Sequence, residues 1–482
     1  MLRVVVSVFI GLAVIGCERR IDNSQHVAAM RALLGRMPRW VDQSSLGKRL
    51  WTFERTFYEQ RQFLPAWIDG DRTTPQMKDL VSQLKYSERH GLDPASYHVQ
   101  EFEQAREQSQ TKLEGTRFDP KIVPELDAKM TYAYLRYAAD LLGWNANTKQ
   151  IYENWVVEPK KEDLASRLST AIQDNRVRET LEELAPTHPQ YKGLQAALAA
   201  EKQNPSGHGE RLKMNLERWR WAPRALGDRY ILVNIPAYQL QVMEGDQPKL
   251  AMRVVVGKPD TPTPLFSDEM TYVVFSPTWN VPESIIRKEL QPRLVNNPDY
   301  LSRMGIEVVG TSGEEVDPAA VDWSDESATA GLKFRQPPGE ENALGGVKFV
   351  FPNHFSIFLH DTPSTKFFSR PQRTFSHGCI RVEDPVGLAR YVLTDQPEWT
   401  EPRIVEAMHN HLERVVNLKR RIPVHIGYWT AWVKSDGKTV SYIDDPYHID
   451  DAQARVRGNE ARAREATQTQ SRTSEAQRHR EN

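Results

Sequence analysis

Residues Phe355 to Val382 read FSIFLHDTPSTKFFSRPQRTFSHGCIRV, and this stretch decides how the C-terminal half of the chain is read. The run Phe355-Ser356-Ile357-Phe358-Leu359-His360 has the aromatic and β-branched content of a strand and ends on a histidine. Fifteen residues, 361–375, then separate His360 from Ser376, enough to leave one strand, cross a loop and return beside it. What returns is Ser376-His377-Gly378-Cys379. A free thiol with a pKa of about 8.5 is only a few per cent ionised at neutral pH, so a reactive cysteine needs a base or cation beside it. His360 and His377 both offer imidazole, and the residues alone do not choose between them. Gly378 permits backbone angles that other residues avoid, and would let the amides near Cys379 aim at an oxyanion.

Working outward, the chain holds two cysteines, Cys17 and Cys379, which excludes a disulfide framework. Among 482 residues, 63 Lys and Arg against 64 Asp and Glu exclude the positive excess of a dedicated nucleic-acid binder. Mean hydropathy is −0.60, which excludes a multi-span membrane protein. The N-terminus carries Arg3 and then an apolar run over 4–16, too short to span a bilayer and suited to the h-region of a secretory signal. It ends in Val14-Ile15-Gly16-Cys17, which resembles a bacterial lipobox, with Cys17 as the lipidation site and membrane anchor. Glu18 follows where lipoprotein sorting would read Asp as an inner-membrane signal, which points to the outer membrane. With Cys17 acylated, Cys379 has no disulfide partner, and a leftover cysteine in an exported protein is reactive or pairs between molecules.

The fold class expected is α+β multidomain. After the signal (1–17), residues 18–48 are polar and read as a tether. Residues 49–204 show apolar positions at spacings of three and four, as in Met77, Leu80 and Leu84, and in Leu126, Met130, Tyr134, Tyr137 and Leu141, and read as a helical scaffold domain. Pro205-Ser206-Gly207 reads as a linker. From there to 448, short β-rich runs such as Tyr230 to Ile235, Ala251 to Val256, Met270 to Phe275 and Lys348 to Phe351 predict a mostly β domain, antiparallel and sandwich- or barrel-like. A partly helical insertion over about 282–342 interrupts it as a lid or specificity element. Residues 449–482 have almost no large apolar side chain and read as a disordered polar tail.

His360-x15-Ser376-His377-Gly378-Cys379-x-Arg381 resembles the signature of YkuD-type L,D-transpeptidases, in which a leading His is followed by an [S/T]-H-G-C cluster. Asn342 to Phe349, Leu359-His360-Asp361-Thr362-Pro363, Tyr428 to Trp432, Phe63 to Trp67 and Gly91 to Pro94 resemble the large, scaffold-bearing periplasmic subfamily, so the likeness covers about residues 50–448. Two features depart from it. The small helical peptidoglycan-binding module usual between scaffold and catalytic domain is missing between Ala200 and Leu212. Arg381 stands where many YkuD domains have Asn. The resemblance implies Cys379 as nucleophile, His360 as its general base oriented by Asp361, and an oxyanion site at Gly378 and Cys379 aided by His377. It implies that Arg381, Ser376, Thr362, Trp279 and Asn280 face the substrate, a peptidoglycan stem peptide, with a 3→3 cross-link as product and acylation of Cys379 by carbapenems. No metal or organic cofactor is expected. A zinc site from His354, His360, His377 and Cys379 has enough ligands but not the usual spacing. A hydrolase of the same chemistry and a non-catalytic wall tether are the rival functions.

Overall fold

The computed structural model describes residues 24–110 and 118–459, apart from the single positions 159, 298 and 326, together with residue 462. The candidate lipobox, Cys17 included, lies outside these residues. The N-terminal half is helical and organised around Val123–Leu142, which is buried on nearly every face, as its all-round apolar surface requires. Asp127 of that helix accepts from the backbone N–H groups of Ala66, Trp67 and Ile68 and from the Tyr58 hydroxyl, while Trp67 Nε1 donates to Thr131. That network holds the Pro65-Ala66-Trp67 stretch against the helix, and its buried N–H groups find their acceptor there.

Nine strands build the main sheet of the C-terminal half: β1 (Arg229–Asn234), β2 (Gln239–Glu244), β3 (Gln247–Gly257), β4 (Phe266–Phe275), β5 (Val347–Val350), β6 (Leu359–His360), β7 (Thr374–Ser376), β8 (Ile380–Val382) and β9 (Arg414–Gly427). Their hydrogen bonding runs β3-β8-β6-β5-β4-β9-β1-β2 and returns to β3, so the sheet closes on itself, with β7 alongside β3. Most pairings are antiparallel; β6–β8, β9–β1 and β7–β3 are parallel. Alternation places Val273, Phe349, Leu359 and Ile380 in one hydrophobic core. The opposite face of the same strands is left to the chemistry described below.

Several expected boundaries move. The tether assigned to 18–48 begins, in its described part, with a helix over Ser24–Leu33, and Met30, Leu34 and Val41 are buried in the scaffold core. Their spacing suffices to pack one face, although the segment as a whole is polar. Helices Pro189–Gln203 and Gly209–Trp221 lie on either side of the expected domain boundary at 204/205, yet both pack in one cluster with Tyr230, Leu232 and Trp429 of the C-terminal half. The tail starts later than 449. Residues 449–459 are helical, and the buried Arg218 guanidinium donates to Asp450 at 2.6 Å and to Gln453 at 2.8 Å. Two polar partners from the C-terminus thus satisfy a buried cation, a pairing that apolar content cannot reveal. Phe355 to Phe358 form a loop, and only Leu359 and His360 are strand. The Asn353 side chain bonds the backbone of Phe351, Phe355 and Ile357 and competes successfully with a ladder.

The insertion has its own core of Val281, Ile286, Leu290, Leu294, Leu301, Trp323 and Phe334. Besides short helical turns it contains a three-stranded sheet of Trp279–Asn280, Lys333–Gln336 and Glu307–Val309, so it is more β than expected. Buried Asn342 donates to the carbonyls of Pro277, Gln336 and Pro337 and so ties the exit of the insertion to its entrance.

Candidate active site

Strand register builds the site. Leu359 and Ile380 are partners across the parallel β6–β8 pair, as are His360 and Arg381. Leu359 and Ile380 enter the core, so alternation sends His360 and Arg381 to the opposite face, with Cys379 one residue before β8. His360 is buried, and its Nδ1 donates to the Asp361 carbonyl at 2.6 Å. That bond selects the tautomer and leaves Nε2, with no described protein partner, as the basic nitrogen. The Asp361 side chain serves another purpose: its carboxylate accepts from the N–H groups of Gly346 and Thr362, at 2.8 and 2.7 Å. Gly345 makes this approach possible. It sits at φ 62°, and a Cβ there would lie 2.3 Å from an Asp361 oxygen.

Cys379 is half-buried, and its Sγ lies 3.8 Å from the Ser356 carbonyl, its described hydrogen-bond acceptor. Burial pushes the thiol up to about 11, against the opposing pull of the Phe358 N–H and the Arg381 charge. Burial, and after it the charge of Arg381, bring His360 down to about 3, while its bond to Asp361 acts the other way. Both shifts run toward the uncharged forms, a thiol and a neutral imidazole.

The turn before Cys379 is clamped from two sides. Ser376 Oγ donates to the Cys379 carbonyl at 2.5 Å and accepts from the Gly378 N–H at 3.1 Å. Thr263 Oγ1 donates to the Gly378 carbonyl at 2.8 Å and accepts from the Gly257 N–H at 2.9 Å. Gly378 adopts φ 118°, a conformation closed to side chains. The scaffold reaches this layer through Tyr152, whose hydroxyl donates to the Thr263 carbonyl at 3.0 Å, while Tyr447 donates to the Gly257 carbonyl at 2.7 Å.

Strand register sets Cys379, His360 and Arg381 on one face of β6 and β8, and other expected residues have protein partners of their own. The buried Ser376 hydroxyl is bonded on both sides to the turn, to the Cys379 carbonyl and the Gly378 N–H. The Gly378 N–H is committed to Ser376, so among the two expected oxyanion amides only that of Cys379 has no described acceptor. His377 Nε2 bonds Glu289 of the insertion, with Lys258 Nζ 3.5 Å away, and therefore joins the lid rather than the thiol. Burial works against it, yet His377 and Lys258 hold the Glu289 carboxyl below its ordinary value. Thr362 is buried and its Oγ1 caps the Ser364 N–H. Trp279 and Asn280 pair with Gln336 and Arg335, and Trp279 packs on the insertion core, at the root of the lid. Arg381 carries a buried Nε without a partner, its guanidinium 5.9 Å from the Phe367 ring. No group of three or more His, Cys, Asp or Glu side chains suited to a metal ion occurs among the described residues.

A family model described as the L,D-transpeptidase catalytic domain matches residues 228–413, and one described as the scaffold domain matches 54–198. The chain therefore carries a YkuD-type L,D-transpeptidase catalytic domain behind a scaffold domain. It is 27% identical over 400 residues, 80% of this chain and 76% of the other, to a Haemophilus influenzae protein provisionally named an L,D-transpeptidase. Among solved structures, an L,D-transpeptidase from Mycobacterium smegmatis matches at 14% identity and TM-score 0.19, over 41% of this chain and 58% of that one. An LD transpeptidase in complex with imipenem matches over the same shares at 14% identity and TM-score 0.21. This chain thus spans little more than half the length of those two proteins. The YkuD domain match begins one residue before β1 and ends one before β9; the model for the scaffold ends within helix Pro189–Gln203.

The residues missed in the sequence are the supports: Ser356, Tyr447 and Glu289. None has a local signature, because each acts through an atom brought from a distant segment. Among the described residues no helix is long and apolar enough to cross a membrane.

Proposed function

We propose that this protein forms 3→3 cross-links in peptidoglycan through a thioester on Cys379. The observation that carries the reading is the shared face of Cys379 and His360, with His360 Nδ1 tied to the Asp361 carbonyl and Nε2 left basic. In this reading His360 Nε2 takes the Cys379 proton as sulfur attacks the carbonyl of the L-centre of diaminopimelate in a donor tetrapeptide. The Cys379 N–H stabilises the oxyanion, and Arg381 holds a substrate carboxylate, for which its unpartnered, half-buried guanidinium is suited. His360 returns the proton to the departing amine of D-Ala. The side-chain amine of a second stem then attacks the thioester, His360 takes its proton, and Cys379 is released. The family resemblance extends the reading to carbapenem acylation at Cys379. The reading includes a periplasmic location on a lipid anchor at Cys17, in the outer membrane, which the lipobox-like Val14-Ile15-Gly16-Cys17 and the following Glu18 support.

The test uses the chain without residues 1–17, purified disaccharide tetrapeptide and mass spectrometry, beside a Cys379→Ala control. A dimer formed with loss of D-Ala, absent from the control, is expected. Monomeric tripeptide alone would make the protein a hydrolase. Wall binding without any Cys379-dependent product would make it a tether.

A further inference from the structure

Lys348 lies in β5, directly opposite His360 in the antiparallel β5–β6 register, while Arg381 is the partner of His360 on the other side. Three basic side chains, Lys348, His360 and Arg381, therefore form a row on the face that carries Cys379. Two steps of about 4.8 Å between strands put the two permanent cations about 10 Å apart at the backbone, with the imidazole between them. Lys348 Val347 and Phe349 neighbours enter the core, which fixes the lysine to the site face.

A half-buried lysine ordinarily finds a carboxylate. Lys348 forms no ion pair among the described residues, and its recorded contact is the Phe358 ring, 5.9 Å from Nζ. Phe358 in turn lies edge-on to His360, at 5.7 Å between ring centroids. The carboxylate that acts on it is Glu413, which itself accepts from the Thr278 N–H at 2.6 Å. Burial holds the Lys348 ammonium below its ordinary value, and Glu413 opposes this only in part. The site thus keeps two under-partnered cations, one on each side of the base. Arg381 alone would suffice for a peptide with a single carboxylate, but a stem peptide carries free carboxylates on both sides of the attacked carbonyl.

We propose that Lys348 is a second carboxylate-binding residue of this site, holding the reacting peptide on the side of His360 away from Arg381. This rests on the function proposed above. A flexible point charge suits a carboxylate at the end of a side chain, whereas the planar fork of Arg381 suits one beside the backbone.

The test measures tetrapeptide affinity by calorimetric titration in the Cys379→Ala protein, with and without Lys348→Met or Lys348→Arg. The ligands are the free tetrapeptide and analogues amidated at each of its carboxylates in turn. Lys348→Met keeps the aliphatic stem and is expected to weaken the free peptide about tenfold, the scale of one partly desolvated charge pair. That loss disappears on one of the amidated analogues, and Lys348→Arg stays within about threefold of the parent. Unchanged affinity in Lys348→Met, or an equal loss on every ligand, overturns the proposal while leaving peptide recognition standing. Absence of any tetrapeptide binding by the parent protein overturns the functional reading and this inference with it.

Discussion

Ser376→Ala tests whether Ser376 builds the nucleophile turn or touches substrate. Its hydroxyl satisfies two backbone groups at once, the Cys379 carbonyl at 2.5 Å and the Gly378 N–H at 3.1 Å, and the residue is only 2% exposed. Leaving a buried polar group unsatisfied costs about 1–3 kcal/mol, so the pair amounts to about 2–6 kcal/mol, borne by the turn that presents Cys379. If about 3 kcal/mol of this falls on the reactive geometry, kcat drops about a hundredfold. The peptide contacts on Arg381 are untouched, so KM should change little. Iodoacetamide alkylation of Cys379, followed by intact mass, should become less selective as the turn loosens, and Ser376→Thr should restore much of the rate. A KM raised more than kcat is lowered, with alkylation unaltered, would mean that Ser376 contacts the peptide and that the clamp has been misread.

Two titrations provide further checks. Burial lifts the Cys379 thiol to about 11, so its alkylation rate should still be climbing above pH 9.5, where a free thiol has levelled off; a plateau below pH 9 would contradict that upward shift. In the scaffold, Glu54 is fully buried with both carboxylate oxygens unpartnered, and burial, with Asp127 adding to it, raises its pKa well above the ordinary value. The native state then keeps a proton that the unfolded chain releases above about pH 4.3, so this group lowers stability progressively as pH rises beyond that point. Glu54→Gln should therefore gain in Tm over the parent protein as pH is raised from 4 to 8; a difference that does not vary with pH would refute the assignment.

The candidate nucleophile was legible because its motif is local. A cysteine directly after a glycine, with a histidine before it and a second histidine at the end of a preceding apolar run, is written in consecutive residues. The helical half was legible for a similar reason, since three- and four-residue spacing survives as helix Val123–Leu142. The partners of Ser376 and His377 in that same motif were not legible, because a sequence shows proximity but not direction. One side chain turns into the backbone and the next reaches a carboxylate of the insertion.

The sequence by itself determined the candidate pair Cys379 and His360, the two-part architecture and the position of the insertion. These follow from residue types, apolar periodicity and chain spacing, which are properties of short segments. Tertiary structure decided the hydrogen-bond partner of His360, the burial that moves the Cys379 thiol upward, the closure of the sheet and the capture of Arg218 by the C-terminal helix. It also placed Lys348 beside His360, through a register between segments whose pairing no short stretch records. Burial and hydrogen-bond partnership arise only when distant segments meet, and those two quantities set whether a proton stays on sulfur or moves to nitrogen.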